Sequence, residues 1–228
     1  MTLPSLLTRL TSLARPGAVE GMARFGMAPE GRLGVSVPSL RALAREVGRD
    51  HALALELWQT GIPEARMLAS MIADPRQMTP EGMDAWAADF NSWDVCDQVC
   101  DNLFMHTPYA WQKVTEWAAR EEEFVRRAAF ALLACLAWHD RRASDADFVS
   151  ALSLLRAAAT DRRNYVRKAV NWALRNIGKR NRALNAAALA AAQEIAAIDS
   201  PAARWIAADA LRELRSDPVQ ARLAKKSG

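Results

Sequence analysis

Val125-Arg126-Arg127-Ala128-Ala129 returns 41 residues later as Val166-Arg167-Lys168-Ala169-Val170, and 37 beyond that as Ala203-Arg204-Trp205-Ile206-Ala207. A fainter copy stands at Ala65-Arg66-Met67-Leu68-Ala69. Each copy sets a basic residue beside small apolar ones, as suits a helix that buries one stripe and lets long cationic stems run out along its edge. A single helix pair of this kind cannot bury its apolar face alone. A period near 40 therefore predicts pairs that stack on their neighbours.

Working outward from these phrases, helical apolar spacing recurs over 5–15, 19–27, 37–48, 50–59, 63–73, 79–89, 92–105, 108–119, 122–138, 144–159, 163–179, 181–197, 200–215 and 217–225. Pro, Gly, Asn or Asp separates the blocks, and no stretch alternates as a strand would. Alanine, leucine and arginine dominate, while ten glycines and ten prolines are scattered through 228 residues, a bias that favours helices. The expectation is an all-α chain forming a single domain over 1–228. It would be an α-solenoid of HEAT-like helix pairs with a concave basic surface.

Charge divides unevenly. Residues 1–123 carry 11 basic and 17 acidic side chains, and residues 124–228 carry 19 and 9, so the second part would attract a polyanion, most commonly nucleic acid. Arginines at positions 9 and 15 interrupt the apolar residues of the amino terminus before a signal-peptide core or membrane span could form, which points to the cytoplasm. Three cysteines make no disulfide framework. Cys96 and Cys100 sit at core spacing, His51, His106 and His139 lack a partner motif, and neither metal nor cofactor is expected. Gly21, Gly26, Gly31 and Gly34 lack the strand-to-helix context of a nucleotide loop. Trp58, Trp86, Trp111, Trp117, Trp138 and Trp205 fall mostly at apolar positions and read as packing between repeats.

The sharpest local signal is 161–182, with eight basic side chains and one acidic one. At helical spacing Lys168, Trp172, Arg175 and Lys179 fall within about 60° of one another, while Val166, Val170, Ala173 and Ile177 gather on the other side. A solvated basic face with a tryptophan over a groove would look like this, and so would a phosphate-binding face with an aromatic platform.

Asn91-Ser92-Trp93-Asp94-Val95-Cys96-Asp97 opens another helix, with Asn-Ser in capping position and Asp94 suited to the positive end of the helix dipole. Val95, Cys96, Val99 and Leu103 define its buried side. Trp93 and Asp97, one turn apart, face away from it, and an outward tryptophan beside a carboxylate exposes apolar area that packing does not explain.

With Met22-Ala23-Arg24-Phe25, Leu33-Gly34-Val35-Ser36-Val37-Pro38, Trp93-Asp94-Val95-Cys96-Asp97, Val125-Arg126-Arg127-Ala128-Ala129 and Lys168-Ala169-Val170-Asn171-Trp172 in this order, the chain resembles the AlkD-like DNA alkylation repair glycosylases over nearly its whole length. The resemblance implies hydrolysis of the N-glycosidic bond of cationic alkylated purines in double-stranded DNA; with no heptad seam in the sequence, a monomer is the default expectation. The resemblance makes Asp97 the catalytic carboxylate, Trp93 and Trp172 the indoles beside the deoxyribose, and Arg127 a phosphate ligand beside the lesion. Lys168, Arg175, Lys179 and Arg163 would bind the flanking backbone. Where the family can carry a tyrosine after Met-Ala-Arg this chain has Phe25, which leaves that DNA contact without a hydroxyl. The alternative is a non-enzymatic paralogue that grips DNA, or a protein scaffold.

Overall fold

In a computed structural model that describes residues 1–225, the chain forms fourteen α-helices and, among those residues, no strand. They are α1 (Leu3–Ser12), α2 (Pro16–Arg24), α3 (Val37–Val47), α4 (His51–Gln59), α5 (Pro63–Ile72), α6 (Pro80–Ala88), α7 (Trp93–Asn102), α8 (Ala110–Ala118), α9 (Glu123–His139), α10 (Asp145–Ala158), α11 (Asn164–Gly178), α12 (Arg182–Ala196), α13 (Pro201–Leu214) and α14 (Asp217–Lys225), with a 3-10 turn at Phe104–His106. Pro4, Pro16, Pro38, Pro63, Pro80 and Pro201 lie in the first turns, where a missing N–H costs nothing and the fixed φ favours helix entry. Ser36, Asp50, Thr79, Ser144 and Asn181 cap their helices through the side chain. Contacts group into two compact units, Met1–Ala110 and Trp111–Gly228.

In the first unit α5 is the central helix, packed on α3, α4 and α7 and touching α1. An aromatic cluster fills the core beside it: Trp58 stacks on Trp86 with ring centres 3.9 Å apart, and Phe90 and Phe104 close its edges. The loop 25–36 is tied down by buried polar groups as well as by Val35, which is buried in the core. Glu64, fully buried on α5, accepts from the backbone N–H of Leu33 at 3.0 Å and of Gly34 at 2.7 Å. Gly34 is obligatory, because its φ is +78° and a Cβ there would stand 2.3 Å from the Arg15 carbonyl oxygen.

In the second unit α9, α11 and α13 pack side by side, and α10 and α12 form the row that covers them. These three helices carry the repeated phrase, and its register decides what is buried. Val125, Val166 and Ala203 are in the core, as are Ala128, Ala169 and Ile206, and Ala129, Val170 and Ala207. Polar bonds join successive repeats at nearly the same sequence interval. Arg127 Nη1 donates to the Tyr165 carbonyl 38 residues on, Asn171 Nδ2 to Asp209 also 38 on, and Asn176 Nδ2 to the Ala134 carbonyl 42 back. The recurrence is thus a structural period, with apolar and polar contacts repeating together.

Two tryptophans depart from a packing role. Trp138 and Trp205 are exposed, and an arginine stands over each ring, Arg222 over Trp138 at 5.7 Å and Arg167 over Trp205 at 5.0 Å. Trp58, Trp86 and Trp117 are buried as expected.

Candidate active site

In the first unit, Val95, Cys96, Val99 and Leu103 are buried, whereas Trp93 and Asp97 are half-buried one turn apart on α7. The Trp93 Nε1–H donates to the main-chain carbonyl of Phe25 at 3.1 Å. Phe25 ends α2 with 78% of its surface in solvent, so an exposed phenyl ring and a fixed indole share one neighbourhood.

What fixes that neighbourhood is an ion pair that sequence reasoning missed. The Arg32 side chain, 1% exposed, makes two hydrogen bonds to the Asp94 carboxylate, at 2.8 and 3.0 Å, and a third from Nε to the Ala28 carbonyl at 2.8 Å. Ser92 does not cap α7 with its side chain. Its Oγ accepts from the Ala28 N–H at 3.1 Å and donates to Asp94 at 2.5 Å. Asp94 is therefore more than a complement to the helix dipole, since it anchors the loop that follows Phe25. The local sequence offered only a weak signal, because Ser and Asp at the start of a helix ordinarily satisfy that helix's own N–H groups.

In the second unit, the α11 face has the polarity its spacing predicts, with Val166, Val170, Ala173 and Ile177 buried and Lys168 exposed. Trp172, Arg175 and Lys179 are half-buried beside Lys168 on that face. The cations differ in availability. Arg175 and Lys179 both bind Glu213 of α13, Lys179 at 2.7 Å, and Arg175 also lies 3.6 Å from Asp209. Burial alone would raise the Glu213 pKa, but hydrogen bonds and charge from Lys179 and Arg175 outweigh it and hold the carboxyl below its ordinary value. Glu213 lies 38 residues after Arg175, one repeat on, which is the signal that could have revealed the pair. Lys168, by contrast, has no ion-pair partner among the described residues.

Arg163 precedes α11 and pairs with Asp161 at 2.6 Å while also donating to the Glu121 carbonyl. Asp161 faces Arg126 as well, at 3.4 Å, and despite burial, which acts to raise it, its carboxyl is held low by these guanidiniums. Arg127 is only 5% exposed and spends Nη1 on the Tyr165 carbonyl at 2.7 Å. Its place is thus between repeats, at the edge of the α11 start.

A sequence profile described as DNA alkylation repair enzyme matches residues 6–214. Among curated proteins none matches. Among solved structures, one described as belonging to "a new family of proteins related to the HEAT-like repeat DNA glycosylases with affinity for branched DNA structures" superposes with a TM-score of 0.80 at 19% identity, covering 98% of this chain and 96% of that one. At that identity the likeness concerns the fold, which is that of HEAT-like helix pairs. An engineered protein (TM-score 0.37, 16% identity, 78% of this chain and 91% of that one) and a designed armadillo repeat protein in complex with the peptide (KR)4 (TM-score 0.35, 15% identity, 82% and 89%) are more distant.

Proposed function

The chain belongs to the DNA alkylation repair enzyme family, and on that premise we propose that it is a glycosylase that hydrolyses the N-glycosidic bond of cationic alkylated purines such as 3-methyladenine and 7-methylguanine in duplex DNA. The observation that carries the proposal is the pairing on α7 of Asp97 with an indole held by hydrogen bonding, Trp93 on the Phe25 carbonyl.

Alkylation at N3 or N7 makes the purine cationic, so it departs with the glycosidic electron pair and leaves positive charge on the deoxyribose. The ionised Asp97 carboxylate would stabilise that charge and accept a proton from the water that adds at the sugar carbon, giving free base and an abasic site. Fixed electrostatic groups of this kind are worth about 3–4 kcal/mol of barrier. The π faces of Trp93 and Trp172 would each add about 0.5–2 kcal/mol toward a cationic sugar. Neutral bases bring no such charge in the ground state, so selectivity follows from electrostatics. Lys168, with its charge uncancelled, would be the principal phosphate ligand of α11, while Arg175, Lys179 and Arg163 would bind phosphate in competition with Glu213 and Asp161. Arg127 would act at the same backbone from its place beside the Tyr165 carbonyl at the start of α11.

Binding DNA without excision is the alternative. It is favoured by the burial of Arg127, which limits what that guanidinium can offer a phosphate, and the superposed relative has affinity for branched DNA. Incubation with methylated duplex DNA separates the two, with branched junctions assayed for binding alongside. Free 3-methyladenine or 7-methylguanine that disappears in Asp97→Asn supports the glycosylase. Binding of duplex or junction with no base released assigns a non-enzymatic DNA binder, and neither outcome leaves a protein scaffold.

A further inference from the structure

A cleft of about 420 Å³ opens where the carboxy-terminal ends of α9 and α11 approach α14. Trp138, Arg141, Asn176, Lys179, Arg180 and Arg222 contribute most of its lining, and no carboxylate does so among the described residues. Trp138 is 55% exposed although it lies near the end of the deeply buried helix α9, and the Arg222 guanidinium stands over its ring at 5.7 Å.

Of the cations here, Lys179 is paired with Glu213, whereas Arg141 and Arg222 lack the kind of ion pair that ties Arg175. Arg180 donates to the Ala137 carbonyl at 2.9 Å and the Leu136 carbonyl at 3.4 Å. Burial pushes its pKa down, with Asp145 and Asp140 opposing from nearby, and Asp145 is itself held by Asn181. Arg141 and Arg222 have no ion pair among the described residues; Arg222 Nη2 donates to the Lys179 carbonyl at 3.4 Å, while its Nε is buried without a hydrogen-bond partner. Cations at helix carboxy-terminal ends complement the dipole and cap carbonyls, which accounts for Arg180. It does not account for Arg141, for the unsatisfied Arg222 Nε, or for a tryptophan left in solvent among them.

We propose that this cleft is a nucleic-acid site, additional to the residues beside the lesion and sharing Lys179 with the α11 face, that holds an unpaired segment of a DNA strand, with a base stacked on Trp138 and the adjoining phosphates on Arg141 and Arg222. An indole face is useful only to a base that has left the helical stack, whereas intact duplex presents its phosphates and groove edges instead. The cleft is of the size that takes a small ligand. The inference does not rest on the glycosylase activity, since none of its residues acts on the lesion.

The test is fluorescence anisotropy of the full chain with a labelled oligothymidylate and with a blunt, undamaged duplex of equal length. Trp138→Ala is expected to weaken oligothymidylate binding about tenfold and leave the duplex affinity unchanged, with Trp138→Phe restoring most of the loss. Arg141→Ala should flatten the dependence of log affinity on log salt by about 0.7 for the single strand alone. Circular dichroism melting shows that each variant is folded. Unchanged oligothymidylate binding by Trp138→Ala, equal losses on both DNAs, or no single-strand binding by the parent would each overturn the proposal. Displacement by micromolar thymidine monophosphate would also overturn it, by assigning the cleft to free nucleotides.

Discussion

The indole N–H of Trp93 is held by the main-chain carbonyl of Phe25, 68 residues earlier in the chain, at 3.1 Å. That carbonyl opens a loop whose next fixed points are Ala28 and Arg32, both bound to the first turn of α7 through Ser92 and Asp94. Helix α7 therefore orients its own tryptophan through a loop that it anchors itself. The orientation of the indole is thus tied to the Arg32–Asp94 ion pair.

Removing one partner of that pair should be costly, because it strands a buried charge. Arg32→Ala is expected to lower the unfolding free energy by about 3–5 kcal/mol, read from urea titration. Arg32→Met combined with Asp94→Leu should recover much of the loss, since apolar replacement of both partners leaves no orphan charge. A loss below about 1 kcal/mol in Arg32→Ala would mean that the loop is held by other contacts.

Glu213 confers an acid-sensitive contact between α11 and α13. Its folded pKa lies below the ordinary value of 4.5, so its stabilising contribution is complete above that value and is lost as pH falls through the lower folded one. The melting temperature of the parent should therefore fall more steeply below about pH 4.5 than that of Glu213→Gln.

The same substitution should alter DNA binding in the opposite sense. With the carboxylate gone, Arg175 and Lys179 are released toward phosphate, and Glu213→Gln is predicted to bind undamaged duplex more tightly with a salt slope steeper by about one to two units. Lys168→Ala should flatten the slope by about one unit.

Gly178 lies where α11 packs closely against α12 and α13. A Cβ there would stand 2.7 Å from both terminal methyl carbons of Leu214 and 3.0 Å from the Cβ of Ala188, all buried. Gly178→Ala gains helix propensity of about 1 kcal/mol but overpacks the α11, α12 and α13 contact by about 1–3 kcal/mol, so a net destabilisation by thermal melting is expected.

The fourteen helical blocks were legible because apolar spacing, proline at first turns and capping residues agree along the chain; the block at 163–179, for example, became Asn164–Gly178. The polarity of α7 and α11 was legible for the same reason. The partners of the polar residues were not. Asp94 pairs 62 positions away, and Arg175 one repeat on, and nothing within a single helix specifies which distant charge will meet it. Arg127 shows the same limit, since one phrase repeated three times puts a buried arginine, an exposed lysine and an exposed tryptophan at equivalent positions 127, 168 and 205. No described helix is long and apolar enough to cross a membrane.

Asp97 as the catalytic carboxylate is tested by the single-turnover rate of 7-methylguanine release from methylated duplex, with the parent compared with Asp97→Asn at matched DNA saturation. The expected result is release by the parent and a rate about 100- to 1000-fold lower in the variant, with duplex affinity retained. Equal rates in the two proteins, or a parent that binds duplex and releases no base, would contradict it.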